Sequence, residues 1–150
     1  MSGASRLATE PVQQSSALLQ SIGDPQDPQL VMVGDDQVCS DWEELLDKLN
    51  ARTTAWQSLD PSIPASQWSP EQRKAVDETI SPFNDFADEA LKLAQQTKNP
   101  VLADLMTFSA QYRRAYAAAL TSYIPTDSYL ASAGGAAAST IYNSCKLLRG

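Results

Sequence analysis

Histidine is absent from this chain of 150 residues. The commonest general base, the commonest metal ligand and the usual near-neutral pH switch are therefore missing, and a hydrolase of the Ser-His-Asp kind is excluded. Aromatic residues are sparse at 7%, and there are only two cysteines. No run approaches the roughly 20 consecutive apolar residues of a membrane-spanning helix. The opening MSGASRLATEPVQQSS lacks the apolar core of a signal peptide. The chain thus reads as soluble, with a removed leader or an upstream anchor left open. Positive charge is also short: eleven basic residues against eighteen acidic ones leave a net charge of -7. That charge repels phosphate backbones and anionic lipid, so nucleic acid is not an expected partner.

What is present favours helices. The apolar fraction of 43% is carried largely by alanine and leucine, and the length suits one domain with one core. Residues 1–38 are expected to form a flexible lead-in and loop, rich in Ser, Gln and Ala, with a short apolar insert at 30–33 that docks on the core. Residues 39–150 are expected to form a helical bundle domain. Its first helix is placed at 40–59, opened by a capping box of Ser40 and Glu43 and carrying Trp42, Leu45, Leu46, Leu49, Thr53 and Trp56 on one face. Ser69-Pro70 with Gln72 opens a second helix, in which Pro82 predicts a kink or break near Ile80. Asn99-Pro100 opens a third, running to about Tyr123, and Thr126 or Asp127 caps a fourth. Four helices on short connections predict an all-α antiparallel four-helix bundle.

In such a bundle the first helix starts and the fourth ends at the same pole, so Cys39 and Cys145 can meet. Closing a loop of about 105 residues would stabilise the fold by roughly 4 to 5 kcal/mol in the chain-entropy model. A disulfide would set the protein in an oxidising compartment; two unrelated buried thiols in a cytosolic protein are the alternative. A redox-active pair is disfavoured, because the C-x-x-C spacing is missing.

Three further groups carry candidate chemistry. Carboxylates cluster at Asp41, Glu43, Glu44 and Asp47 and at Asp85, Asp88 and Glu89. Without histidine or EF-hand spacing, neither a metal nor an acid-base pair is expected, and the first cluster suits the opening turns of a helix. Tyr112, Tyr116 and Tyr123 fall near one helical face, with Tyr129 across the turn and Arg113 or Arg114 at the rim. They read either as core tyrosines with hydroxyls reaching solvent or as a cleft for a small amphipathic or acidic ligand. Gly134-Gly135 lies mid-helix, where each glycine costs about 1 kcal/mol relative to alanine. Close helix crossing is the expected reason, a hinge or bound ligand the sharper one. Trp68, in a proline-rich connection, is either a packed lid or an exposed anchor for a partner.

The strings CSDWEELL, DPSIPASQWSPEQRKAVD and NPVLADLMTFSAQYRRAYAAALTSYIPTDSYLASAG, with the terminal SCKLL, resemble a group of actinobacterial, mainly mycobacterial, proteins of unassigned function. The resemblance covers about residues 38–148. Its members are described as exported or membrane-anchored, and it implies an extracytoplasmic helical domain in which Cys39 and Cys145 pair. It carries no catalytic signature.

The expected function is a non-enzymatic interaction or accessory domain of the cell envelope, with another envelope protein as partner and Trp68 as a candidate contact. The alternative is a binding or carrier protein for a small amphipathic ligand, held by Tyr112, Arg113, Tyr116, Tyr123, Tyr129, Gly134 and Gly135. No catalytic residue, metal or cofactor is expected. The expected location is extracytoplasmic, exported or anchored through a segment outside this chain, with a cytoplasmic one left open.

Overall fold

A computed structural model describes residues 23–30 and 36–149 of the chain. Most of the expected lead-in, and Val31 to Val33 of the apolar insert, lie outside the described residues. Leu30, the first residue of that insert, is 55% exposed and so not docked. Asp24 to Asp27 close a tight turn, with Gln26 N donating to Asp24 Oδ1 at 2.9 Å.

Four long helices build the domain: α1 (Asp36–Arg52), α3 (Pro70–Gln96), α4 (Pro100–Ala119) and α5 (Ser128–Arg149). A single-turn helix α2 (Thr54–Gln57) follows α1. Helix α1 packs on α3 and α5, α3 on α4, and α4 on α5, so α1 and α4 lie diagonally across an all-α antiparallel bundle.

Two of the expected helix starts are formed by the local chemistry. Ser69 accepts from Gln72 N at 3.1 Å, while the Gln72 side chain accepts from Ser69 N at 2.8 Å, a reciprocal capping box ahead of Pro70. Asn99 Oδ1 accepts from Val101 N and Leu102 N at 3.0 and 3.1 Å. At the start of α5, Asp127 Oδ2 accepts from Ile124 N at 2.9 Å across a 3-10 turn (Pro125–Asp127).

Three expectations need correction. Ser40 lies inside α1, not at its cap, and Glu43 instead receives Lys146 and Arg149 from α5 at 3.2 and 2.9 Å. The first helix also does not run on to residue 59. It breaks at buried Thr53, whose hydroxyl donates to the Leu49 carbonyl at 2.8 Å, and α2 then sets off separately. Finally, α3 continues unbroken through Pro82. Phe83, Phe86, Ala87 and Ala90 beyond the proline are fully buried, and their packing outweighs the one backbone bond that proline cannot make.

The core is unusually aromatic for so few aromatics. Trp42 meets Phe86 edge-on at 5.5 Å, and Trp56, Phe83 and Tyr116 form a mutually edge-on triangle with centroids 5.0 to 5.8 Å apart. At one pole the Cys39–Cys145 disulfide, with Cα atoms 5.4 Å apart, joins the start of α1 to the end of α5.

The paired glycines serve a close crossing of α4 and α5. A Cβ on Gly134 would sit 3.3 Å from Tyr112 Cβ and 3.4 Å from the Ser109 carbonyl oxygen, neither free to move. Ser109 Oγ, fully buried, donates to the Gly134 carbonyl at 2.9 Å across the seam. Gly134→Leu is therefore expected to destabilise the protein by about 2 kcal/mol, overpacking outweighing the gain in helix propensity. Gly135→Ala should cost less, because its Cβ would meet only the end of the Arg113 side chain. Denaturant titration of the two variants checks the difference.

Candidate functional site

The break at Thr53 has a structural consequence at the pole opposite the disulfide. It lets α2 and the following connection fold back over the junction of α4 and α5. Asp60 closes the first turn of that connection, its Oδ1 accepting from Ser62 N at 2.9 Å and Ser62 Oγ at 2.7 Å. Three bonds then fasten the connection to the end of α4 and to itself. Tyr123 Oη donates to the Pro61 carbonyl at 2.6 Å, Ala65 N donates to the Tyr123 carbonyl at 2.9 Å, and Trp68 Nε1 donates to the Ile63 carbonyl at 3.1 Å. Arg73 adds a clamp. Its guanidinium lies 4.7 Å from the Trp68 ring centre and donates to the carbonyls of Leu120, Thr121 and Ala65, satisfying acceptors left open where α4 ends.

Between this connection and the α4–α5 junction lies a cavity of about 390 Å³. Trp56, Leu59, Trp68, Tyr116, Leu120 and Tyr123 give it an aromatic and aliphatic wall, and Gln57, Asp60, Ser128 and Ser132 supply polar groups. The tyrosine hydroxyls are already engaged: Trp56 Nε1 donates to Tyr116 Oη at 2.8 Å, and Tyr123 bonds Pro61. Trp68 and Tyr123 stack at 5.5 Å.

Burial pushes the Tyr116 phenol up to about 12, an effect only partly offset by the Trp56 hydrogen bond. Tyr123 is also raised, chiefly by burial. An unfolded tyrosine loses its proton near pH 10, whereas folded Tyr116 keeps it, so alkali favours unfolding. Stability is expected to be intact below about pH 10 and to fall between about pH 10 and 12. Urea unfolding across that window checks it, and Tyr116→Phe should flatten the slope.

The structure distributes the sequence-derived ligand residues over three places. Tyr116 and Tyr123 line the cavity, and Trp68 lies half-buried in the same wall. Tyr112 is half-buried and stacks on Phe108, their centroids 4.4 Å apart, and Tyr129 is 72% exposed. Gly134, Gly135 and Arg113 belong to the α4–α5 seam. There the Arg113 guanidinium lies 5.4 Å from the Phe83 ring and 5.9 Å from Phe86, with one nitrogen 3.4 Å from the Ala131 carbonyl. Its Nε is buried without a hydrogen-bond partner among the described residues, and burial lowers its pKa. Bare Gly135 leaves space for this planar group.

Sequence reasoning missed Leu59, Asp60 and Ser128 as wall residues; Trp56, expected on the buried stripe, packs against the core and also lines the cavity. The available signal was Asp60-Pro61 between two tryptophans, which marks a turn bracketed by large rings. Among the described residues no group of three or more His, Cys, Asp or Glu is arranged to hold a metal ion. No described helix is long and apolar enough to cross a membrane.

Comparison with known proteins gives a family. No solved structure matches the chain. An uncharacterised protein of Mycolicibacterium smegmatis (strain MKD8) is 37% identical over 112 residues, which are 75% of this chain and 30% of that relative. The chain therefore spans less than a third of that protein's length. A family model described as mycobacterial ESX-1 associated protein matches residues 2–149, nearly end to end. The chain belongs to the family of mycobacterial ESX-1 associated proteins.

Proposed function

We propose that this chain is a non-enzymatic accessory domain of ESX-1 secretion, working outside the cytoplasm by presenting a rigid bundle to another protein of the cell envelope. The observation that carries this reading is the Cys39–Cys145 disulfide. Such a bond persists chiefly in oxidising compartments, and here it ties the first helix of the bundle to the last, as suits a stiff platform. The family's description supports the link to secretion. Trp68, in the connection over the cavity, is the proposed contact for the partner.

The test is mass spectrometry of the protein taken from mycobacteria with alkylation before lysis, paired with in-cell crosslinking. The reading expects an oxidised pair and crosslinks to an ESX-1 component that weaken in Trp68→Ala. Two alkylated cysteines, or crosslinks to cytoplasmic enzymes only, would overturn it.

The cavity favours a second reading, a binding or carrier protein for a small amphipathic molecule. Its volume of about 390 Å³ lies in the range of small-molecule sites. Tyr116→Leu should weaken ligand uptake under that reading and leave partner crosslinking unchanged.

A further inference from the structure

The cavity between α2, the following connection and the α4–α5 junction is electrically one-sided. Asp60 is the carboxylate on its wall, and no Lys or Arg lines it among the described residues. Arg73 lies behind Trp68, with its guanidinium turned to the carbonyls of Leu120, Thr121 and Ala65. Asp60 is held in place through Oδ1 by two donors from Ser62, while Oδ2 accepts no hydrogen bond among the described residues. Those donors also hold the Asp60 carboxyl below the usual carboxylate range, so it stays ionised at neutral pH. The chain's net charge of -7 reinforces the sign.

We infer that this cavity binds a small organic cation with a compact apolar body, its ammonium group at Asp60 Oδ2 and its hydrocarbon against Trp56, Trp68 and Tyr116. The inference rests on the small-molecule reading above and gives it a ligand class. Three features select that class. The aromatic and aliphatic wall rewards burial of hydrocarbon. The Asp60 carboxylate attracts positive charge and repels an anion, and the Arg73 guanidinium already occupies one face of Trp68 rather than the cavity wall. The cavity is also larger than the side chain of any single residue, which favours a free molecule over one basic side chain of a partner.

The test is ligand-detected NMR titration of the oxidised full chain with three probes of similar size: phenethylamine, 2-phenylethanol and 3-phenylpropionate. The amine is expected to bind about fivefold more tightly than the alcohol, the size of an exposed ion pair, with the carboxylate weakest. Asp60→Asn should abolish the amine's advantage, while Asp104→Asn, on exposed α4 surface away from the cavity, should not. The indole N–H signals of Trp56 and Trp68 should shift and that of Trp42 should not. Equal binding of amine and alcohol, or an amine advantage that survives Asp60→Asn, overturns the cation assignment and leaves the small-molecule reading standing. Absence of binding by all three probes, or shifts confined to Trp42, overturns both.

Discussion

Replacing Cys39 and Cys145 together by alanine is expected to lower the unfolding free energy by about 4 kcal/mol. The cross-link joins residues 106 apart in sequence, nearly the whole described bundle, so its removal returns to the unfolded chain almost the largest loop-closure entropy this domain can offer. The native side adds to the loss. Both cysteines are almost completely buried, and alanine leaves their sulfurs' space unfilled. Helix α1 depends on the bond most, since it packs on α3 and α5 without a broad contact to α4. The ion pairs at that pole, Glu43 with Lys146 and Arg149, form a partly exposed cluster that contributes little by itself. Urea unfolding of the wild type with and without reductant checks the expectation. Reduced wild type, which keeps both sulfurs in place, should fall somewhat less far than the double variant, and hydrogen exchange should show α1 opening before α3 and α4. A reduced protein as stable as the oxidised one would show that the bond is incidental to the fold.

Trp42→Ala is expected to cost about 3 to 5 kcal/mol, the range for deleting a large aromatic side chain from a core. Trp42 is completely buried and touches both neighbours of α1. Its ring meets Phe86 of α3 edge-on at 5.5 Å, and its Nε1 donates to the Ala138 carbonyl of α5 at 3.3 Å. The indole therefore fixes α1 in the groove between those helices one turn from the disulfide. Because the two features brace the same helix, their losses should not add. The triple variant should lie less far below the wild type than the separate effects combined, and a double-mutant cycle from urea midpoints measures the coupling. Trp42→Phe, which retains most of the volume, should recover more than half of the loss. Full additivity would mean that the tryptophan and the disulfide stabilise α1 independently.

Much of the fold was legible because its signals are local. Ser69-Pro70 with Gln72, Asn99-Pro100 and Asp127 all act on backbone donors within three residues, so sequence spacing alone specifies the contact. The same logic failed at Ser40, where the capping pattern lies inside a helix that begins at least one turn earlier. It failed again at Thr53, and the break expected at Pro82 is not there. A threonine on an apolar stripe gives no warning that its hydroxyl will turn back on Leu49, and the penalty of a proline is set by what its neighbours bury. Gly134-Gly135 was readable as a close crossing because small residues in a helix have few other uses.

The candidate site was legible only in fragments. Tyr112, Tyr116 and Tyr123 fit one helical face by spacing, yet the 3-10 turn Leu120–Ser122 intervenes, and only the latter two reach the cavity. Its wall joins Trp56 of α2 and Asp60 and Trp68 of the following connection to Tyr116 and Ser128 from helices about 60 residues away, a distance across which no periodicity informs.

The sequence by itself determined the helical class, the chemistry that lacks histidine, two of the helix caps and the pole at which the cysteines meet. Each of these depends on composition or on neighbours along one helix. Only the tertiary structure decided that Arg113 would lie inside a seam, that Thr53 would end the first helix, and that two tryptophans and two tyrosines would wall a cavity with one carboxylate. Those outcomes depend on which side chains compete for the same space once the helices pack, and that competition has no counterpart in the order of the residues.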